Sequence, residues 1–104
     1  MKLKAIAHSR TGDKGTIVNL SLIAYDPADY PLLERFATSA RVKDLFADIV
    51  EGEVVRYALP QLGAFNFVLT RRGREGVTRT LALDAHGKSL SSALLDMEIP
   101  DACE

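Results

Sequence analysis

The chain has 104 residues, 47% hydrophobic and 26% charged, with 13 Lys and Arg against 14 Asp and Glu. That length fits one compact domain, and the apolar content is too high for a disordered chain. A formal charge of −1 leaves no broad positive footprint for nucleic acid, and no apolar run reaches the roughly 18–20 residues that cross a bilayer.

Met1-Lys2-Leu3-Lys4 is a basic opening with no apolar stretch behind it, which argues against a secretory signal. Cys103 is the sole cysteine, so neither an internal disulfide nor a four-cysteine zinc site is available. It is second from the end, where the prenylation box needs it fourth. The expected setting is the cytoplasm, with no membrane and no metal.

Leu3, Ala5 and Ala7 alternate with Lys2, Lys4 and His8, which predicts a first strand over residues 2–9. Ser9 to Gly15 reads as a polar loop with two glycines. Residues 16–25, rich in β-branched and large apolar types, predict a second strand paired with the first as a hairpin. Asp29 is placed to cap a helix that carries Pro31 in its first turn and Leu32, Leu33, Phe36 and Ala37 as its stripe. Ser39 is placed to cap a second helix, in which Val42, Leu45, Phe46 and Ile49 fall at helical spacing before Gly52.

Three further strands are expected, over 53–59, 64–70 and 77–84. Val55, Tyr57 and Leu59 share one face, as do Phe65, Phe67 and Leu69. The charged turn 71–76 joins the last two strands, and a final helix over 89–97 buries Leu90, Leu94 and Met97. This order predicts an α+β fold, an antiparallel sheet with helices packed on one face.

The chemistry-bearing candidates are few. Gly12-Asp13-Lys14-Gly15 brings backbone amides and a cation together, as a phosphate or carboxylate cradle would. The same residues also suit a plain hairpin turn. Gly87-Lys88-Ser89 opens a helix, but Ala82 stands where a nucleotide-binding loop needs its first glycine. Asn19 and Asn66 lie inside predicted strands, where a carboxamide needs partners or an exposed edge.

His8, Ser9 and Asp13 have the right types for a catalytic triad, without a nucleophile elbow or an order that brings them together. Arg71, Arg72 and Arg74 form a small basic turn with no interleaved aromatics. Phe65 and Phe67 are not accompanied by an RNA-recognition signature.

Three stretches, in order, resemble one known family. His8-Ser9-Arg10-Thr11-Gly12-Asp13-Lys14-Gly15, continuing to Asn19, is similar to the ARSGDKG…N opening of the AtuA-like ferredoxin-fold domain. Residues Tyr57 to Val68 resemble its YxLPxLxAxNFV segment, and Leu83 to Leu90 its LDxQGKxL ending. His8, Thr11 and His86 stand where the family more commonly has Ala, Ser and Gln.

The resemblance implies a ferredoxin-like sandwich over residues 1–104 and the separate, small form of a domain otherwise fused behind a larger AtuA-type domain. Ferredoxin-like describes the backbone alone, since one cysteine cannot hold an iron–sulfur cluster, and no cofactor is expected. The family is named for acyclic terpene utilisation. That setting implies a small subunit of an oligomeric AtuA-type complex in acyl-CoA metabolism, with hydratase or lyase chemistry.

On this reading Arg10, Lys14, Asn19 and Asn66 bind an anionic small molecule or CoA thioester, and Asp13 is the candidate for proton transfer. The alternatives are a self-sufficient homodimeric hydratase or lyase, favoured by turnover of the isolated chain, and a purely structural interaction module.

Overall fold

Alternation of large apolar and smaller polar side chains in two neighbouring strands sets the architecture. In a computed structural model that describes residues 1–14, 16–70 and 90–100, and only the backbone of Asp13 and Lys14, the elements are strands and short helices. The strands are β1 (Ala7–Lys14), β2 (Ile17–Ala24), β3 (Val55–Leu59) and β4 (Ala64–Thr70). The helices are α1 (Tyr30–Phe36), α2 (Ser39–Leu45) and α3 (Leu90–Leu95). The strands form one sheet in the order β1-β2-β4-β3, and every neighbouring pair is antiparallel.

Val18, Leu20 and Leu22 of β2 are paired with Leu69, Phe67 and Phe65 of β4. All six are essentially without solvent contact, and Leu33 of α1, Val42 of α2, and Leu90 and Leu94 of α3 complete the same core. Apolar burial on one sheet face is what draws the helices to that side. The other face carries no helix among the described residues. This is the expected α+β sandwich with helices on one face.

The termini of the described chain are tied together. Leu3 N–H donates to Met97 O (3.0 Å) and Ile99 N–H to Met1 O (2.8 Å), so residues 1–3 run beside 97–99. With Leu3–Ala5 wound into a 3-10 turn, the first strand starts at Ala7 rather than residue 2.

The stretch from Ser9 to Lys14, expected as a loop, is therefore strand, paired with β2 as far as Lys14 and Ile17. The error has a physical cause. Among the described strands β1 is at an edge, and a strand there tolerates polar residues in the same density as a loop.

Two helix caps also differ from expectation. Asp26 Oδ1 accepts from Ala28 N–H (3.0 Å) in a 3-10 turn that leads into α1, and Asp29 makes no side-chain cap. Thr38 Oγ1, not Ser39, accepts from Arg41 N–H (3.2 Å) at the start of α2. Arg56, on the helix side of β3, donates from Nη1 to the carbonyls of Glu34 and Ala37, each at 2.9 Å, at the end of α1. Strand 77–84, the turn 71–76, His86, Gly87-Lys88-Ser89 and Cys103 lie outside the described residues.

Candidate functional site

The uncovered sheet face is built by register. Arg10 of β1 is paired with Ser21 of β2, Ser21 with Asn66 of β4, and Asn66 with Tyr57 of β3. These four form one row across the whole sheet, because cross-strand partners point to the same face. The next row is Gly12, Asn19, Val68 and Val55, and on the other side lie His8, Ile23, Ala64 and Leu59.

The rows grade from polar to apolar. Arg10 is exposed, and it is the one charged group among strand residues of this face whose side chains are described. Its backbone N–H donates to Ser21 Oγ (3.0 Å), which donates back to Arg10 O (3.5 Å). The hydroxyl is thus held by the backbone of β1, while the guanidinium makes no ion pair with a described residue. Asn66 is half-buried beside it, with no described partner for its carboxamide.

Toward β3 the surface becomes a groove of about 580 Å³, walled chiefly by Ile23, Tyr57, Leu59, Leu62 and Ala64, with Ser21 and Asn66 on its polar margin. Tyr57 is 54% exposed and Leu62 69%. Among the described residues nothing covers this group of large apolar side chains. Five of these residues, Tyr57, Leu59, Leu62, Ala64 and Asn66, come from the single segment 57–68. In that segment β3, a 3-10 turn at Pro60–Leu62 and β4 follow one another. Gly63, at φ 61°, closes the turn in the left-handed region that glycine adopts without strain.

The residues singled out in the sequence fall as follows. Arg10, Asn19 and Asn66 share the open face, and Lys14, paired with Ile17, has the same parity on β1. Asp13 is paired with Val18, whose side chain is in the core, so it is out of phase with Arg10. Gly12 does not serve as a flexible hinge, because its φ is not positive. Asn19 Oδ1 lies only 2.6 Å from where a Cβ on residue 12 would stand. Consecutive strand residues also separate His8 from Ser9. His8 stacks on Tyr25 (centroids 5.2 Å apart) on the open face, and the Ser9 hydroxyl is buried without a described partner. A Ser-His pair is excluded by that parity.

Sequence reasoning missed Ser21, Tyr57, Leu59 and Leu62 as surface groups. The available signal was the apolar alternation of β3, whose opposite face holds Arg56, a residue committed to α1. Among the described residues no cluster of three His, Cys, Asp or Glu side chains is arranged to hold a metal. No described helix is long and apolar enough to cross a membrane.

Compared with known families, the sequence matches the model of the AtuA ferredoxin-like domain over residues 1–100. No curated protein and no solved structure gives a significant match.

Proposed function

The chain belongs to the AtuA ferredoxin-like domain family, and from that premise we propose that its open sheet face docks on a larger AtuA-type protein and lines a binding site shared with it. The observation that carries this reading is the grading of that face, from Arg10 through Ser21 and Asn66 to the apolar groove at Tyr57, Leu59 and Leu62. An apolar surface flanked by one cation and two asparagines suits a ligand with a hydrocarbon part and an anionic or carbonyl-bearing end. An acyl-CoA or related anionic metabolite is such a ligand.

In this arrangement Arg10, with Lys14 on the same parity of β1, holds the anionic group. Asn66 presents a carboxamide to a thioester carbonyl, and Asn19 lines the face one row away. Asp13 is out of phase with these groups, so this chain binds the ligand and the proton transfers of hydration or elimination fall to the partner.

Co-expression with an AtuA-type large protein, followed by size-exclusion chromatography, tests the reading. One co-eluting peak, split by Leu62→Asp, is the expected result. Two separate peaks for the wild-type proteins overturn it.

A further inference from the structure

The outer edge of β3 has a feature that the open face does not explain. Among the described residues β3 pairs only with β4 and ends the sheet. Natural edge strands are guarded against further pairing by charges, prolines or bulges. β1, at the other edge of the described sheet, carries Arg10, Asp13 and Lys14. β3 reads Val55-Arg56-Tyr57-Ala58-Leu59, and its one charge is turned beneath the sheet onto the carbonyls of Glu34 and Ala37. Among the described residues the edge is therefore without a guard.

The direction of its backbone groups follows from the ladder. Ala24 N–H donates to Gly63 O (2.9 Å) across β2 and β4. Bonded pairs recur at every second residue of an antiparallel ladder, so Phe65 and Phe67 direct their backbone groups to β2. Ala64, Asn66 and Val68 then face β3 and engage Leu59, Tyr57 and Val55. The backbone N–H and C=O groups of Arg56 and Ala58 are left pointing outward, symmetrically about Tyr57.

We infer that β3 pairs antiparallel with β3 of a second copy of this chain, on a twofold axis at Tyr57. In that register Arg56 exchanges backbone hydrogen bonds with Ala58 of the partner subunit, and Ala58 with Arg56 of the partner subunit. Tyr57 meets the partner's Tyr57, and Val55 meets the partner's Leu59. Every pair on the open face is apolar or aromatic. On the helix side each Arg56 meets a small Ala58, so no like charges are opposed. No other register of this strand against itself centres both outward backbone pairs.

The axis runs perpendicular to the sheet. The helices of both copies stay on one side, and the two open faces join into one surface of eight described strands. The partner's Val55 then stands beside Leu59 and extends each groove, so the groove is complete only in the dimer.

The register makes a sharp test possible, in a Cys103→Ser background. In a pair of this kind the two Tyr57 Cα atoms stand about 4.5 Å apart, within the window for a disulfide. Tyr57→Cys is therefore expected to crosslink to a dimer under mild oxidation. Val55→Cys alone is not, because the two positions are roughly 13 Å apart along the strands. A mixture of Val55→Cys and Leu59→Cys chains restores the crosslink.

Light scattering on the wild-type chain over a range of concentrations should approach twice the chain mass. Ala58→Pro removes an outward N–H without touching the bonds to β4, and is expected to return the mass to that of one chain. Tyr57→Lys, which opposes two cations on the axis, does the same should Ala58→Pro fail to fold. A single-chain mass for wild type at every concentration, or equal crosslinking of Val55→Cys and Tyr57→Cys, overturns the inference. Capture of the AtuA-type protein is read separately, through Leu62→Asp, so either proposal can fail alone.

Discussion

Asn19 lays its carboxamide across Gly12 on the open face of the β1–β2 hairpin, with Oδ1 at 2.6 Å from the position of an absent Cβ. Contact and not backbone angle is what favours glycine here, since its φ is not positive. The obstructing atom is the tip of an exposed side chain that can rotate. Gly12→Ala is therefore expected to cost less than about 1 kcal/mol of stability, offset in part by a stiffer unfolded chain. The carboxamide itself must move. Its side-chain amide resonances should shift in Gly12→Ala, and coupling between Gly12→Ala and Asn19→Ala in a double-mutant cycle should reach at least about 0.5 kcal/mol. Unmoved resonances and strict additivity would refute the contact.

Arg56 joins three elements at once. Its guanidinium donates to the carbonyls of Glu34 and Ala37, at 2.9 Å each, and its Cζ lies 4.6 Å from the centroid of the Phe65 ring. These carbonyls end α1, where intrahelical donors run out, so the arginine supplies what the helix lacks. Phe65 is itself stacked on Tyr30 (centroids 4.7 Å apart), which places the cation in the packing of the core. Arg56→Ala is expected to destabilise by about 2–3 kcal/mol, from two lost charge-assisted bonds and the ring contact. Lysine should restore only part of this, because its compact ammonium lacks the planar face that the guanidinium lays over the Phe65 ring. Urea denaturation of the three proteins decides it.

The same residues show why the sequence was legible in some places and not in others. β4 was readable to the residue, because Phe65, Phe67 and Leu69 alternate cleanly and one face is fully buried. Of the helical spacing of Val42, Leu45, Phe46 and Ile49, three positions are core and Leu45 is 41% exposed; α2 ends at Leu45, and Phe46 and Ile49 lie in the turns that follow.

β1 reads as a loop because a strand at the edge of the described sheet, with one face open, has the composition of a loop. By sequence Gly12 suits an anion cradle or a hairpin turn, whereas its neighbour in the structure lies across the ladder, at Asn19. On β3 the alternation was seen, but its apolar side was not recognisable as the outer one. That depends on Arg56 turning inward to α1, a tertiary contact with no local signature. Arg10, Asn19 and Asn66 were singled out individually, and only the register shows that they share a face.

Thr11 gives a second instance of a motif residue with a structural task. Its Oγ1 accepts from Ser91 N–H (3.1 Å) at the first turn of α3, eighty positions away. An oxygen in that place does for the free amide what an N-cap side chain does, although it comes from another element. Thr11→Ser keeps the oxygen and should be close to neutral. Thr11→Val, of similar shape, should cost about 1 kcal/mol. Amide exchange at Ser91 should quicken in the valine variant and remain slow in the serine variant.

Arg10 separates binding from stability. The side chain is exposed and has no described ion-pair partner, so Arg10→Ser should change stability by no more than about 0.5 kcal/mol. If it holds the anionic end of a ligand, CoA binding by the assembled complex should weaken about tenfold in this variant, and the wild-type affinity should fall with added salt. Calorimetric titration with CoA reads both. An unchanged affinity would remove Arg10 from the site while leaving docking of the open face intact.

Tyr30 carries a pH dependence whose sign is fixed by its surroundings. Burial raises its pKa above the ordinary value of 10.0, and the nearby Glu34 carboxylate adds to the rise, while Arg56 opposes it. The folded state thus holds the phenolic proton more tightly than the unfolded chain does. Its contribution to stability is full below pH 10.0 and is lost as pH rises through the higher folded value. Tyr30→Phe keeps the stack on Phe65 and removes a buried hydroxyl that has no described partner. At neutral pH it should match or exceed wild type, by up to about 1 kcal/mol. The loss of stability on going from pH 9 to pH 11 should be smaller in the variant, read as the shift in urea midpoint. An equal loss in both proteins would place the alkaline transition in other groups.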